Sequence, residues 1–147
     1  LEASSLGKHH VEGIFRTSVM QAYSAGQKDV LGNPFVADQF PYLLFVATHD
    51  TRVRSNHLAM EKHGQNRSAV YRTDDPIWLT AYPPISYNCR CAVIPLSIAD
   101  AAAHGSREAQ RWLRTGIPPT NPEFARLPYP VTPPRGWPTH DKIASVV

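Results

Sequence analysis

The chain has few of the features that mark membrane proteins, secreted proteins or strongly basic nucleic-acid-binding proteins. Its longest apolar run covers only Tyr42–Ala47, far short of the roughly 20 residues of a membrane-spanning helix, so we expect no membrane partner. The first ten residues contain no apolar segment of the kind found in signal peptides. Lysine and arginine are scattered, and the net charge is only +3, which permits contact with nucleic acid without requiring it.

The 147 residues suit one domain that can bury its own hydrophobic core. Proline is unevenly distributed along this length, because eight of the fourteen prolines follow Gly116. Proline is excluded from helix interiors and from central strands, so these residues favour an extended polyproline II conformation. We therefore predict a folded domain over residues 1–116 and an extended Pro-rich arm over residues 117–147.

Hydrophobic periodicity predicts an N-terminal helix over Lys8–Ala25, with Gly26 as the residue that closes it. Its apolar stripe is expected to pack on the sheet and consists of Val11, Ile14, Phe15, Val19 and Tyr23. Strands are expected at Tyr42–Thr48, Ser68–Thr73 and Cys89–Ile94. Helices are expected at Ser55–Gly64 and Ile98–Thr115, the second broken at Gly105 and capped by Ser97 and Ser106. The predicted class is α+β, with the N-terminal helix on a small, mostly antiparallel sheet.

The chain contains only two cysteines, Cys89 and Cys91, separated by one arginine. Three interpretations are open. A disulfide between them would close a very small ring, with Cα atoms near the limit of about 7 Å. Two buried, inert thiols would behave as small hydrophobic side chains. Two thiolates on one strand face or on a tight turn, here called the knuckle, would bind one zinc ion together with two further ligands.

The segment just upstream offers several residues that could complete such a zinc site. His57 is the best candidate, because it lies at the start of a predicted helix and can reach back over the preceding turn. Asp50 is the expected fourth ligand, since it follows the buried strand at the mouth of the same loop. His49 or His63 could take its place. A metal centre would stabilise the knuckle.

Two further groups of side chains carry binding hypotheses. Arg52, Arg54 and Arg90 form a possible contact site for nucleic-acid phosphates. Pairing with nearby aspartates is the favoured explanation of these arginines, because the basic excess of the chain is small. Aromatic residues lie between the prolines of the arm, namely Phe124, Tyr129 and Trp137. They are expected either to anchor the arm on a partner or to fold it back on its own domain.

Four motifs occur in series: "RTSVMQAYSAG" from Arg16, "DTRVRSNHLAMEKHG" from Asp50, "PIW" from Pro76 and "PPISYNCRC" from Pro83. Together they resemble the phage Mu F-like head morphogenesis family, also called the minor head protein family, over about Val11 to Pro95. The resemblance implies metal binding through the matching positions Asp50, His57, Cys89 and Cys91. The arm lies outside it.

The same resemblance implies a structural role without catalytic activity. Such a protein is expected in the virion of a tailed phage or prophage, and in the host cytoplasm during assembly. Its expected partners are the portal protein and the major capsid protein, with a role in head assembly and DNA packaging or delivery. The alternative is a metal-dependent nucleic-acid enzyme resembling a nuclease. This alternative gains weight if Asp50 is not a ligand, because a catalytic zinc keeps an open coordination position.

Overall fold

The computed structural model describes residues 5–137, which form an α+β fold and confirm the predicted class. The elements follow in this order: α1 (Ser5–Gly32), α2 (Pro34–Gln39), β1 (Tyr42–Val46), α3 (Ser55–Ala59), β2 (Val70–Arg72), α4 (Trp78–Ala81), β3 (Ala92–Leu96), α5 (Ile98–Ala103) and α6 (Arg107–Thr115). Short 3-10 turns at Met60–Lys62 and Gln65–Arg67 connect α3 to β2.

The three strands form one antiparallel sheet in the order β2-β1-β3, so that β1 is central. Successive side chains of a strand point to opposite faces. Leu43 and Phe45 therefore lie on one face and Tyr42 on the other, and all three are almost completely buried. Burial on both faces explains why β1 is an uninterrupted apolar segment rather than an alternating one.

Each face of the sheet has its own hydrophobic core. The larger core packs Trp78 and Tyr82 against Leu43, Phe45 and the neighbouring strands. The smaller core lies under α5 and α6, where the short side chains of Ala101, Ala102 and Ala109 allow the helices to approach the strands closely. The site described below borders the larger core, because both cysteines belong to it.

The predicted helical segment after β3 divides into α5 and α6 as expected. Gly105 lies between them with a φ of +96°, a conformation that glycine adopts at little cost. Ser97 caps α5 by accepting a hydrogen bond from the Asp100 amide. Ser106 caps α6 by accepting one from the Ala109 amide. The break and both caps are therefore confirmed.

The N-terminal helix does not end at Gly26, so the predicted closing residue is wrong. α1 continues to Gly32 because the turns beyond Gly26 contact the domain. The Gln27 amide donates to the Val93 carbonyl at 3.3 Å, and the Tyr82 hydroxyl donates to Gln27 Oε1 at 3.0 Å. Leu31 is buried in the larger core. These contacts offset the cost of about 1 kcal/mol that glycine imposes inside a helix.

The apolar stripe of α1 faces away from the sheet, so the predicted packing of that stripe is wrong. Its exposed fractions range from 49% at Ile14 to 71% at Phe15. The buried residues of α1 recur instead at intervals of seven, at Thr17, Ser24 and Leu31. Seven residues are close to two helical turns, so these side chains form one line. α1 therefore contacts its domain through a narrow and mostly polar face.

The cysteines precede the third strand instead of lying within it. β3 begins at Ala92, whereas the sequence predicted a strand from Cys89. Asn88 has a φ of +57°, a left-handed conformation that asparagine tolerates better than most residues. This residue directs the chain into the tight turn that the metal hypothesis named as an alternative to a strand face.

The described part of the Pro-rich arm packs on its own domain. The carboxylate of Glu108 accepts a hydrogen bond from the Glu123 amide at 2.7 Å, and Asp75 accepts one from the Ala125 amide at 2.7 Å. Val131 is buried in the larger core. Trp137 meets Tyr87 edge-to-face, with ring centroids 4.9 Å apart.

The three aromatic residues proposed as partner anchors differ in exposure. Trp137 is buried, Tyr129 is half-buried and contacts the His63 ring, and Phe124 remains 40% exposed. Residues 138–147 lie outside the described chain. In the free chain the described part of the arm is thus folded back, and its binding to a partner stays a prediction.

Replacement of the central core residue Phe45 tests this arrangement of the cores. Phe45→Ala should lower the free energy of unfolding by about 3–5 kcal/mol, because the substitution leaves a cavity in the larger core. Phe35 is 75% exposed on α2, so the matched Phe35→Ala change should cost less than about 0.5 kcal/mol. Denaturant unfolding measures both values, and equal losses would contradict the assignment of the core.

A second prediction concerns the contact that holds the arm. Asp75→Ala removes the acceptor of the Ala125 amide, and a buried hydrogen bond to a charged group contributes about 1.5–3 kcal/mol. Amide exchange from Ala125 to Trp137 should therefore accelerate by about tenfold to a hundredfold. Asp74→Ala serves as the control, because Asp74 pairs with Arg72. Unchanged protection in Asp75→Ala would show that other contacts retain the arm.

Candidate metal centre

The register between β1 and β3 creates the site. Val46 lies opposite Ala92, so the residues that follow β1 meet the residues that precede β3. The Thr48 hydroxyl donates to the Arg90 carbonyl at 2.8 Å and extends this contact past the end of the sheet. The chain then loops to α3, where His57 lies in the first turn and is buried. Sheet pairing thus brings the histidine loop to the knuckle.

The knuckle is held in place by backbone hydrogen bonds and by α1. The Cys89 amide donates to the Ser86 carbonyl at 3.1 Å. The Asn88 amide donates to Thr17 Oγ1 at 3.3 Å, so one of the buried polar residues of α1 supports the turn. Cys89 and Cys91 are both buried and both free of a disulfide.

Three potential ligands converge at this position: His57, Cys89 and Cys91. The Nδ1 atom of His57 lies 3.4 Å from Cys91 Sγ and 3.7 Å from Cys89 Sγ. In a tetrahedral zinc site, Zn–S bonds of about 2.3 Å and Zn–N bonds of about 2.0–2.1 Å place sulfur and nitrogen about 3.6 Å apart. Both nitrogen–sulfur distances therefore fit donors that share one zinc ion.

The environment of the sulfurs favours a thiolate. The hydrogen bond with Cys91, together with those from His57 and from backbone amides, lowers the pKa of Cys89 to about 4 against the opposing effect of burial. The same hydrogen bond and burial raise the pKa of Cys91. A backbone amide also donates to each sulfur, from Ile85 to Cys89 and from Thr48 to Cys91. Such donors stabilise anionic sulfur, which is the form that binds a metal.

Asp50 does not join the cluster. Its carboxylate pairs with Arg90 at 2.5 Å, and the hydrogen bond from Arg90 lowers the pKa of Asp50. The two alternatives are also engaged elsewhere. His49 Nε2 lies 3.0 Å from a carboxylate oxygen of Glu61, and His63 hydrogen-bonds the Arg126 carbonyl. Within residues 5–137, the structure therefore gathers three candidate ligands. Asp50 could become a fourth only by leaving Arg90.

The three arginines of the DNA-contact hypothesis line a small recess together with the three residues of the cluster. Arg54 donates to Ser86 Oγ at 2.9 Å, and Arg90 is paired with Asp50. Arg52 donates its backbone amide to Asp50 Oδ1 at 2.9 Å. Pairing with aspartate thus accounts for Arg90, while binding of DNA phosphates to the three arginines stays a prediction.

Sequence reasoning missed the residues that support the ligands. Thr48 contacts both the Cys91 sulfur and the Arg90 carbonyl, yet its only signal in the sequence is its position at the end of the predicted first strand. Thr17 supports the knuckle from a distance of 71 residues along the chain. No local pattern indicates such a contact, because it depends on where α1 lies.

Comparison with known proteins identifies a family that matches this chain. The family described as "Phage Mu protein F like protein" matches residues 2–94, well over half of the chain. The chain belongs to this family. The resemblance inferred from the four motifs is thereby confirmed, and the matched region contains His57, Cys89 and Cys91.

Two curated relatives share this region. The chain is 44% identical over 85 residues to the "Mu-like prophage FluMu F protein" of Haemophilus influenzae. The aligned segment covers 57% of this chain and 18% of that protein. The chain is also 37% identical over 86 residues to "Putative capsid assembly protein F" of Escherichia phage Mu. That aligned segment covers 58% of this chain and 18% of the relative. The match thus spans less than a fifth of either relative. No solved structure matches the chain significantly.

The described helices include none of the length and apolar character needed to cross a bilayer.

Metal titration tests the site. We expect one Zn²⁺ or Co²⁺ ion per chain, and a Co²⁺ complex with sulfur-to-metal charge-transfer absorption. Cys91→Ser and His57→Ala should each abolish tight binding, because each removes one of three converging donors. Asp50→Asn is the matched control and should retain the stoichiometry, since Asp50 pairs with Arg90. Loss of the metal in Asp50→Asn would instead make Asp50 the fourth ligand.

Proposed function

We propose that this chain is a structural module of a phage or prophage head, where it acts in head assembly and in DNA packaging or delivery. The observation that carries the proposal is the family match over residues 2–94, supported by the name of the phage Mu relative, a putative capsid assembly protein. The proposed partners are the portal protein and the major capsid protein, with weak contact to packaged DNA through Arg52, Arg54 and Arg90. The proposed location is the virion.

The proposed cofactor is a structural zinc ion held by His57, Cys89 and Cys91. Such an ion would connect α3 to the knuckle. It would therefore join the segment that follows β1 to the segment that precedes β3. Structural zinc sites in small peptides contribute an apparent ~10–16 kcal/mol to folding. The burial of all three ligands supports a structural role, because a buried ion is poorly placed to meet a large substrate.

One observation favours a second candidate function, a metal-dependent nuclease. Three protein ligands leave one coordination position for water, as catalytic zinc sites require. Two features weigh against it. The recess at the cluster has room for about one water molecule. Its described lining, which includes the three arginines, contributes no carboxylate that could act as a general base. Zinc-dependent DNA cleavage that is lost in Cys91→Ser would favour this candidate.

The structural role is tested in phage heads assembled with this protein. We expect the protein to co-purify with the portal and major capsid proteins, and cryo-electron microscopy to place it inside the head. Cys91→Ser should lower its incorporation, because loss of the zinc loosens the knuckle, whereas Asp50→Asn should not. Heads that assemble and package DNA normally without the protein would contradict the proposed role.

A further inference from the structure

The exposed side of α1 carries an apolar surface that the domain does not use. We call this surface the outer stripe, and it consists of Val11, Ile14, Phe15, Val19, Tyr23 and Val30. Each of these side chains is between 49% and 71% exposed. The helix has 28 residues, or about 42 Å at 1.5 Å per residue, and the stripe runs along most of it. A continuous apolar surface of this kind indicates an interaction site.

A groove adjoins the C-terminal half of the stripe. It lies between α1, α2 and the edge of β3, and its volume is about 660 Å³. Tyr23 and Val30 form one wall, and Phe40 and Pro95 contribute to the other. Gly26 also lines it, and a side chain added there would meet nothing within 4 Å. The groove is therefore open, apolar and able to receive large side chains.

We propose that α1 joins two copies of this chain as an antiparallel helix pair. A two-fold axis beside Val19 places the two copies of Val19 opposite each other. More generally, residue i lies opposite residue 38 − i of the second copy. Phe15 then meets Tyr23 of the second copy and enters the groove beside Gly26. The N-terminal half of the outer stripe in each copy thus fills the groove beside the C-terminal half of α1 in the other copy. The same contact occurs twice, as an isologous interface requires.

Charge complementarity selects the antiparallel arrangement. Lys8 is exposed at the start of α1, on the same side as Val19, and Asp29 is exposed near its end. The antiparallel pair brings Lys8 to within one turn of Asp29 of the second copy. A parallel pair would instead place Lys8 beside Lys8 and Arg16 beside Arg16, which is repulsive.

The available area is sufficient for a stable dimer. A standard interface buries about 800 Å² per partner, of which roughly 450–520 Å² is apolar. A whole aromatic side chain buries about 150–250 Å², and a whole aliphatic side chain roughly 60–120 Å². Scaled by the exposed fraction of each residue, the outer stripe and Phe40 offer roughly 500–600 Å² of apolar area to a partner. The outer stripe therefore matches the apolar share of an interface with one further copy.

Sedimentation analysis of the 147-residue chain tests the proposal. We expect a monomer–dimer equilibrium, and Phe15→Asp should weaken dimerisation by roughly 30-fold or more, since it charges a central apolar contact. Leu113→Asp is the matched control, because Leu113 is a similarly exposed apolar residue on α6. Circular dichroism verifies that both variants fold. A chain that is monomeric at all concentrations, or a dimer unaffected by Phe15→Asp, would overturn the proposal and leave the stripe to a different occupant.

Cysteine cross-linking tests the orientation independently of affinity. Helix axes 8–10 Å apart bring the two Val19 Cα atoms at the axis to roughly 4–6 Å, a distance that a disulfide spans. Oxidised Val19→Cys should therefore form a covalent dimer. Asp29→Cys should not, because the two copies of residue 29 lie about 30 Å apart in the antiparallel pair. Cross-linking of Asp29→Cys in preference to Val19→Cys would exclude the proposed arrangement.

Discussion

The antiparallel pairing of β1 with β3 is the constraint on which the rest of the structure depends. It buries β1 between two neighbours and sets the point at which the sheet ends, at the Val46–Ala92 pair. Beyond that pair, Thr48 contacts both Arg90 and Cys91. A register shift of one residue would turn Phe45 toward the other face and would also separate Thr48 from the knuckle. The hydrophobic core and the candidate metal centre thus rest on the same set of backbone hydrogen bonds.

The opposite end of β1 is organised by a buried carboxylate rather than by a metal ligand. Glu108 accepts hydrogen bonds from the Tyr42 hydroxyl at 2.8 Å and from Arg72 at 3.1 Å, and it also accepts the Glu123 amide of the arm. A buried charge is tolerated when it is paired and hydrogen-bonded in this way. The described part of the arm therefore belongs to the fold, because it supplies a donor to Glu108 and the apolar side chain of Val131 to the core.

α1 shows how sequence periodicity can be read correctly and still be assigned to the wrong surface. The rhythm of Val11, Phe15 and Val19 predicts a helix, and the helix is present. The rhythm does not say which surface covers the apolar side. In the structure the buried residues of α1 are Thr17, Ser24 and Leu31 instead. Thr17 supports the knuckle, and Leu31 joins the larger core. Likewise, the helix continues past Gly26 only because Gln27 and Leu31 find tertiary contacts.

The sequence by itself determined the α+β class, the buried apolar strand and the two capped helices after β3, and it indicated His57, Cys89 and Cys91 as candidate ligands. These features rest on local patterns, such as apolar runs, serine caps and the spacing of donor residues. Only the tertiary structure decided that Asp50 pairs with Arg90, that Thr48 contacts the Cys91 sulfur and that the described arm folds back. Each of these outcomes is a competition among several chemically acceptable partners, and the distances that decide such a competition exist only once the strands have paired.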